Sequence, residues 1–151
     1  MNPNIEQNTK RHIYLADDDI DDREIFVDAV KAVDASVVLR EAEDGVELMN
    51  ILTTFSDMVP EIVFLDLNMP RMSGFECLEE IRKQDGAIRN LNVIVFSTSQ
   101  DPQNIEKAKA LGADFYAVKP DNFEMLKKFL SDVLNIDWRL SNQKDRAFRL
   151  I

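Results

Sequence analysis

Three aspartates, two hydroxyls and a lysine stand out because each follows directly on a short apolar run. Asp17 and Asp18 close His12-Ile13-Tyr14-Leu15-Ala16, Asp66 closes Ile62-Val63-Phe64-Leu65, Ser97 and Thr98 close Leu91 to Phe96, and Lys119 closes Phe115-Tyr116-Ala117-Val118. A carboxylate at the tip of a buried run needs a cation, a hydrogen-bond donor or solvent, since burying it unpaired is costly. Alone, Asp66 reads equally well as a turn residue capping the loop that Met69-Pro70 opens. Together the run ends say more. In a parallel sheet the carboxyl ends of the strands share one edge, where ligands bind. Carboxylates gathered there repel one another, and at least one pKa rises unless a cation compensates. An oxygen-only set without His or Cys selects a hard ion such as Mg²⁺. A lysine and a hydroxyl beside it complete a phosphoryl-transfer site, with metal and ammonium balancing the equatorial oxygens. Asp66 is then the nucleophile, since attack by a carboxylate yields an aspartyl phosphate.

The elements between these run ends supply the scaffold. Ile25, Phe26, Ala29, Val30 and Val33 recur at helical spacing behind Asp21 and Asp22, and Val46, Met49, Leu52 and Phe55 mark a second helix after Asp44-Gly45. Val37-Val38-Leu39 forms a further strand. Phe75, Leu78 and Ile81 define a third helix, and Asp85-Gly86 begins a loop. Asp101-Pro102 starts a fourth helix that Gly112 ends, and Phe123 to Leu134 make the last. Five strands alternating with five helices predict parallel pairing through right-handed crossovers, a three-layer α/β sandwich.

Composition narrows the function. The 151 residues suit one domain, and 45% hydrophobic residues suffice for a core. A net charge of −10 argues against nucleic acid and against an anionic membrane surface. No apolar run approaches the roughly 20 residues of a spanning helix, and the polar start lacks a signal peptide. A lone Cys77 excludes an internal disulfide and fits a reducing cytoplasm. Cytoplasmic localisation is expected.

The chain resembles the receiver domains of two-component response regulators, single-domain chemotaxis regulators among them. The motifs are Leu15-Ala16-Asp17-Asp18, Leu65-Asp66-Leu67-Asn68-Met69-Pro70-Arg71-Met72-Ser73-Gly74, Val95-Phe96-Ser97 and Val118-Lys119-Pro120. The resemblance implies a flavodoxin-like doubly wound fold with strand order 2-1-3-4-5. It divides the chain into a flexible leader over 1–10, a receiver domain over 11–134 and a C-terminal extension over 135–151. Asp66 would accept phosphate from a sensor histidine kinase or a histidine phosphotransfer protein. Asp18, Asp66 and the Asn68 backbone carbonyl would ligate Mg²⁺ directly, and Asp17 through water. Lys119 would bridge to the phosphoryl group. Counting back from Lys119 through Gly112 puts Ser97, rather than Thr98, at the switch hydroxyl, and Tyr116 falls at the switch aromatic. The Lys119-Pro120 bond is expected to be cis. One departure is Ile20, where many relatives have proline; it touches loop stiffness and not chemistry.

The neighbouring features carry plainer readings. Asp19, Asp21 and Asp22 read as a solvated helix start and not as metal ligands. Asp17-x-Asp19-x-Asp21 mimics an EF-hand loop, but Asp22 replaces its glycine and Asp28 its final glutamate. His12 reads as a strand residue, so the phosphoryl donor has to be another protein. A haloacid-dehalogenase-like phosphatase would use Asp17 and Asp19 but needs a further acidic pair on a strand after the lysine. A receiver-like adaptor that takes no phosphate is the other alternative. The expected protein is not a classical enzyme: it catalyses only its own phosphorylation and dephosphorylation. Its output passes to a downstream protein target through the face of the fourth and fifth predicted helices, around Gln103, Lys107, Phe115 and Lys127. Trp138 and Phe148 in the tail either pack on the last helix or cover a partner, a possible homodimer included.

Overall fold

The computed structural model describes residues 11–54, 58–138 and 147–151. The expected leader over 1–10, Phe55 of the second helix and residues 139–146 of the expected C-terminal extension lie outside the described residues. In chain order the elements are β1 (His12–Ala16), α1 (Ile20–Val33), β2 (Val38–Ala42), α2 (Gly45–Thr54), β3 (Ile62–Leu65), α3 (Gly74–Lys83), α4 (Gly86–Arg89), β4 (Asn92–Ser97), α5 (Pro102–Ala110), β5 (Phe115–Val118) and α6 (Phe123–Leu134). The five strands form one parallel sheet in the order β2-β1-β3-β4-β5. This is the flavodoxin-like arrangement that the motifs implied.

Strand alternation builds the two faces of the core. Ile62 and Phe64 of β3 point to the side covered by α1 and α6, and Val63 and Leu65 to the side covered by α2 and α3. On the first side Phe26, Phe64, Phe96 and Phe129 interlock. Phe26 meets Phe64 edge-on with centroids 5.0 Å apart, and Phe96 stacks on Phe129 at 5.6 Å. Such aromatic pairs contribute about 0.5–1.5 kcal/mol beyond their buried area. This packing fixes α1 and α6 against the strand ends that carry the acids and the lysine.

The helix starts follow from their caps. Asp19 accepts from the Asp22 amide and opens α1, Ser73 and Glu76 form a capping box on α3, and Asp101 precedes Pro102 at the first turn of α5. Among the described residues there are six helices and not five: the segment expected to be a loop after Asp85 closes one helical turn, α4. Four residues are too short to show periodicity. What holds the turn is the burial of Ile88 and the Arg82 guanidinium, which donates to the Arg89 carbonyl at 2.8 Å.

The tail folds back onto the sheet. Tyr116 N–H donates to the Phe148 carbonyl at 2.9 Å, Leu150 N–H donates to the Tyr116 carbonyl at 2.8 Å, and Val118 N–H donates to the Ile151 carbonyl at 3.4 Å. Arg149 thus bridges Tyr116 in parallel sense alongside β5. Trp138 and Leu150 pack on the α1/α6 side, with Trp138 centred 5.6 Å from the Phe115 ring. Phe148 instead joins Tyr116, Val95 and Ala108 under α5. Phe115, expected on a partner-facing surface, is a core residue with 1% of its surface exposed. A parallel strand between two helix layers buries the side chains of both its faces, and Phe115, Tyr116 and Ala117 are all buried.

Candidate functional site

The backbone ladder sets the acids side by side. Asp17 N–H donates to the Ala42 carbonyl at 3.0 Å and Asp66 N–H donates to the Ala16 carbonyl at 3.0 Å, so each aspartate continues its strand by one bond. Lys119 N–H donates to the Ser97 carbonyl at 2.9 Å and extends β5 along β4 in the same way. These bonds bring residues from four loops to one edge, as the sequence predicted.

Oxygen atoms of Asp17, Asp18 and Asp66 lie within 4.8 Å of one another. Asp17 and Asp66 are buried and Asp18 is exposed. One Asp17 oxygen accepts from the Asp19 amide at 3.0 Å, and one Asp66 oxygen accepts from the Leu67 amide at 2.8 Å. Three carboxylate oxygens, one of them open to water, form a donor set that fits a hard divalent cation such as Mg²⁺. Asn68 lies on the exposed part of the loop, two residues beyond Asp66.

Lys119 Nζ sits among the acids, 2.7 Å from Asp17, 3.0 Å from Asp22 and 3.5 Å from Asp66. Asp22 is the site residue that the sequence reading missed: it is not merely a solvated residue of the helix start. Its signal was its place in the first turn of the helix that directly follows Asp17 and Asp18. Asp19 and Asp21 behave as read, Asp19 capping α1 and Asp21 standing in its acidic first turn.

The electrostatics follow from burial. Desolvation raises the Asp66 carboxyl to about 6; Lys119 pulls it down and the Asp17 charge pushes it up. Burial alone would lower the Lys119 pKa, but its hydrogen bond to Asp17 and the Asp66 and Asp17 charges outweigh this and raise it. Lys119 is therefore a permanent cation. Cys77, buried under α3, has its thiol pushed up to about 12 by desolvation and is no nucleophile.

Ser97 is fully buried, and its Oγ accepts from the Ser99 amide at 3.2 Å. Thr98 is exposed and lines a cavity of about 210 Å³ shared with Asp22, Ile25, Lys119 and Pro120. Tyr116 is buried, and its hydroxyl donates to the Ser99 carbonyl at 2.8 Å. The hydroxyl and the aromatic therefore meet at one residue, Ser99. The Lys119–Pro120 bond, expected cis, is trans, as is every peptide bond among the described residues. For a bond before proline the trans form is the ordinary one, favoured by about 0.5–1 kcal/mol.

The profile of the response regulator receiver domain matches residues 13–131. The chain is 35% identical to the nitrate/nitrite response regulator protein NarL of Escherichia coli over 118 residues, covering 74% of this chain and 50% of that protein. It is 33% identical to a chemotaxis protein CheY homolog of Campylobacter jejuni over 94 residues, 62% of this chain and 70% of that one. It spans about half the length of the first curated relatives it matches. Among solved structures, response regulator RPA3017 in red light signaling of R. palustris superposes with a TM-score of 0.77 at 29% identity, covering 87% of this chain and 96% of that chain. The phosphorylated cyanobacterial phytochrome response regulator RcpA gives 0.75 at 26% identity, over 83% of this chain and 91% of that chain. With the sheet order, the three clustered aspartates and the strand-end lysine, these matches lead to one conclusion: the chain belongs to the response regulator receiver domain family.

Proposed function

We propose that this receiver accepts a phosphoryl group on Asp66 from the phosphohistidine of a sensor histidine kinase or histidine phosphotransfer protein, and that the modification changes its surface for a downstream protein target. The observation that carries this reading is Lys119. A partly buried ammonium 3.5 Å from Asp66 and 2.7 Å from Asp17 is already in place for the charge that a phosphoryl group brings.

In the step, an Asp66 oxygen attacks phosphorus while the donor N–P bond breaks. The electron pair of that bond stays on the imidazole nitrogen, which takes a proton from solvent. The Leu67 amide holds the other Asp66 oxygen at 2.8 Å and so fixes the direction of attack. Bound Mg²⁺, held by Asp18, Asp66 and the Asn68 carbonyl with Asp17 through water, would neutralise charge on the phosphoryl oxygens. Afterwards the Ser97 hydroxyl turns to the new oxygens and releases the Ser99 amide. Tyr116, bonded to the Ser99 carbonyl, feels that change directly. The phosphatase reading needs Asp19 as an acid, yet that carboxylate is used to cap α1.

Incubation with acetyl phosphate and Mg²⁺, followed by mass mapping of the modified residue, tests the reading. Label on Asp66, abolished by Asp66→Asn, is the expected result. Label on Asp17 would favour the phosphatase, and no label on a folded protein would favour the adaptor.

A further inference from the structure

Among the described residues four polar side chains are buried: Asp17, Asp66, Ser97 and Asp44. Three belong to the site above. Asp44 does not, and its position has a consequence for Asp66. It follows β2, and its Oδ1 accepts from the Glu47 amide at 2.8 Å while its carbonyl accepts from Leu48 at 3.1 Å, starting α2. Its Oδ2 is given to Arg71, whose Nε donates at 2.9 Å and whose Nη2 donates to the same oxygen.

Arg71 lies five residues beyond Asp66, in the loop that leaves the site. Its φ of 64° makes it the one non-glycine residue with positive φ among the described residues. Side chains with a β-carbon rarely adopt this region, and glycine adopts it freely. The benefit of arginine here has to come from its guanidinium. The same loop is wedged on its inner side. A Cβ on Gly45, the first residue of α2, would stand 2.5 Å from the Met72 carbonyl oxygen, and one on Gly74 would collide with the Asp66 carbonyl. Gly74 N–H also donates to the Leu67 carbonyl at 2.9 Å. The loop is thus packed against α2 from within and tied to it across the outside by one ion pair.

We propose that Asp44 and Arg71 form a clamp that holds the loop after Asp66 against the start of α2, making Arg71 a positioning residue for the chemistry at Asp66. The proposal rests on Asp66 being the phosphoacceptor. Asn68 lies between the clamp and Asp66, so a loop released at Arg71 presents its backbone less firmly to a cation shared with Asp18 and Asp66. The clamp touches neither donor nor phosphoryl group; it acts through the loop.

Three substitutions separate this from plain structural support. Arg71→Gly removes the guanidinium and relaxes the backbone, so the fold is retained. Asp44→Asn keeps an oxygen for the Glu47 amide but loses the charge. Arg71→Lys keeps a charge without the planar fork. Labelling rates at Asp66 are measured against Mg²⁺ concentration with acetyl phosphate. Amide exchange of residues 67–72 is measured separately in the chelated protein. We expect the half-saturating Mg²⁺ concentration to rise about tenfold in Arg71→Gly and in Asp44→Asn, the size typical of partners that orient ligands. The double variant should be no worse than either single one, because both remove the same interaction. Arg71→Lys should recover part of the loss, and the loop amides should exchange faster without metal. Lower melting temperatures with an unchanged Mg²⁺ dependence and unchanged loop exchange would overturn the clamp while leaving Asp66 as acceptor. A folded wild type that takes no label on Asp66 overturns both.

Discussion

Lys119 and Asp22 are joined across the mouth of the site, with Nζ 3.0 Å from a carboxylate oxygen that belongs to the first turn of α1. The same ammonium stands 3.5 Å from Asp66, so Asp22 and Asp66 share one cation, which on the proposed function would serve the phosphoryl group on Asp66. Asp22→Asn leaves the Asp19 cap untouched, because that bond uses the Asp22 backbone amide. Labelling of Asp66 should become about two- to fivefold faster. That corresponds to about 0.4–1 kcal/mol, the range of a partly exposed ion pair. Slower labelling would mean that Asp22 helps to orient the lysine.

Asp66 should make stability depend on pH in the metal-free protein. Its folded pKa, about 6, lies above its ordinary value of 3.8, so the folded state keeps the proton longer. The contribution of Asp66 to stability is then greatest below about 4, falls as pH rises to about 6, and levels off above. Asp66→Asn should abolish this dependence. At pH 7 it should gain on the order of 1–2 kcal/mol, less whatever the lost contact with Lys119 costs. Chemical denaturation of both proteins at pH 4, 5, 6 and 7 with chelator present tests it, and parallel curves for wild type and variant would refute it.

Mg²⁺ should stabilise the fold without any phosphoryl donor, because it relieves repulsion among Asp17, Asp18 and Asp66. At tenfold above its dissociation constant linkage gives about 1.4 kcal/mol. For a chain of this size that is a rise of about 3–6 °C in melting temperature. Asp18→Ala should remove most of the response. A wild-type melting curve indifferent to Mg²⁺ would remove the metal site from consideration.

Ser97→Ala should damage switching more than labelling. The path from the site runs through Ser99, whose amide is held by Ser97 and whose carbonyl is held by Tyr116. Amide exchange with and without an acyl-phosphate mimic should differ in the segment 97–101 and around Tyr116 in the wild type, and not in Ser97→Ala. Identical exchange maps in the wild type would leave the switch without support.

Deleting residues 147–151 should spare labelling of Asp66. It removes the backbone bonds to Tyr116 and the half-buried Phe148 ring, at a cost of about 1–3 kcal/mol in stability. Labelling lost together with the fold would mean that this segment belongs to the core. Sedimentation of the truncated chain shows whether it also contributes to self-association.

The sequence made the strand ends legible because each chemical residue interrupts an apolar run. Asp66 and Lys119 pair on sequence grounds alone, since a parallel sheet puts both at one edge. What stayed hidden depends on how helices lie over that edge. Asp22 looked like an ordinary acid of a first turn until the packing of α1 brought it to Lys119. Asp44 and Arg71 are separated by 27 residues and two elements, and nothing in an Asp-Gly turn announces a buried carboxylate. Phe115 was misplaced on the surface because the sequence of β5, a strand near the rim of the sheet, does not show that helices cover both of its faces. The apolar tail residues Trp138 and Phe148 were visible, but the partner of residues 148–150, the backbone of Tyr116, was not.

The return of residues 147–151 along β5 also bears on how copies of the chain meet at high concentration. A bare strand at the rim of a sheet is a template for edge-to-edge aggregation. On the β5 side the amides of Tyr116 and Val118 are already engaged by the chain itself. At the opposite rim β2 presents the exposed charged side chains of Arg40 and Glu41. Sheet-to-sheet growth would therefore have to peel away a segment anchored by Phe148 on one side or bury charges on the other, and both routes are uphill.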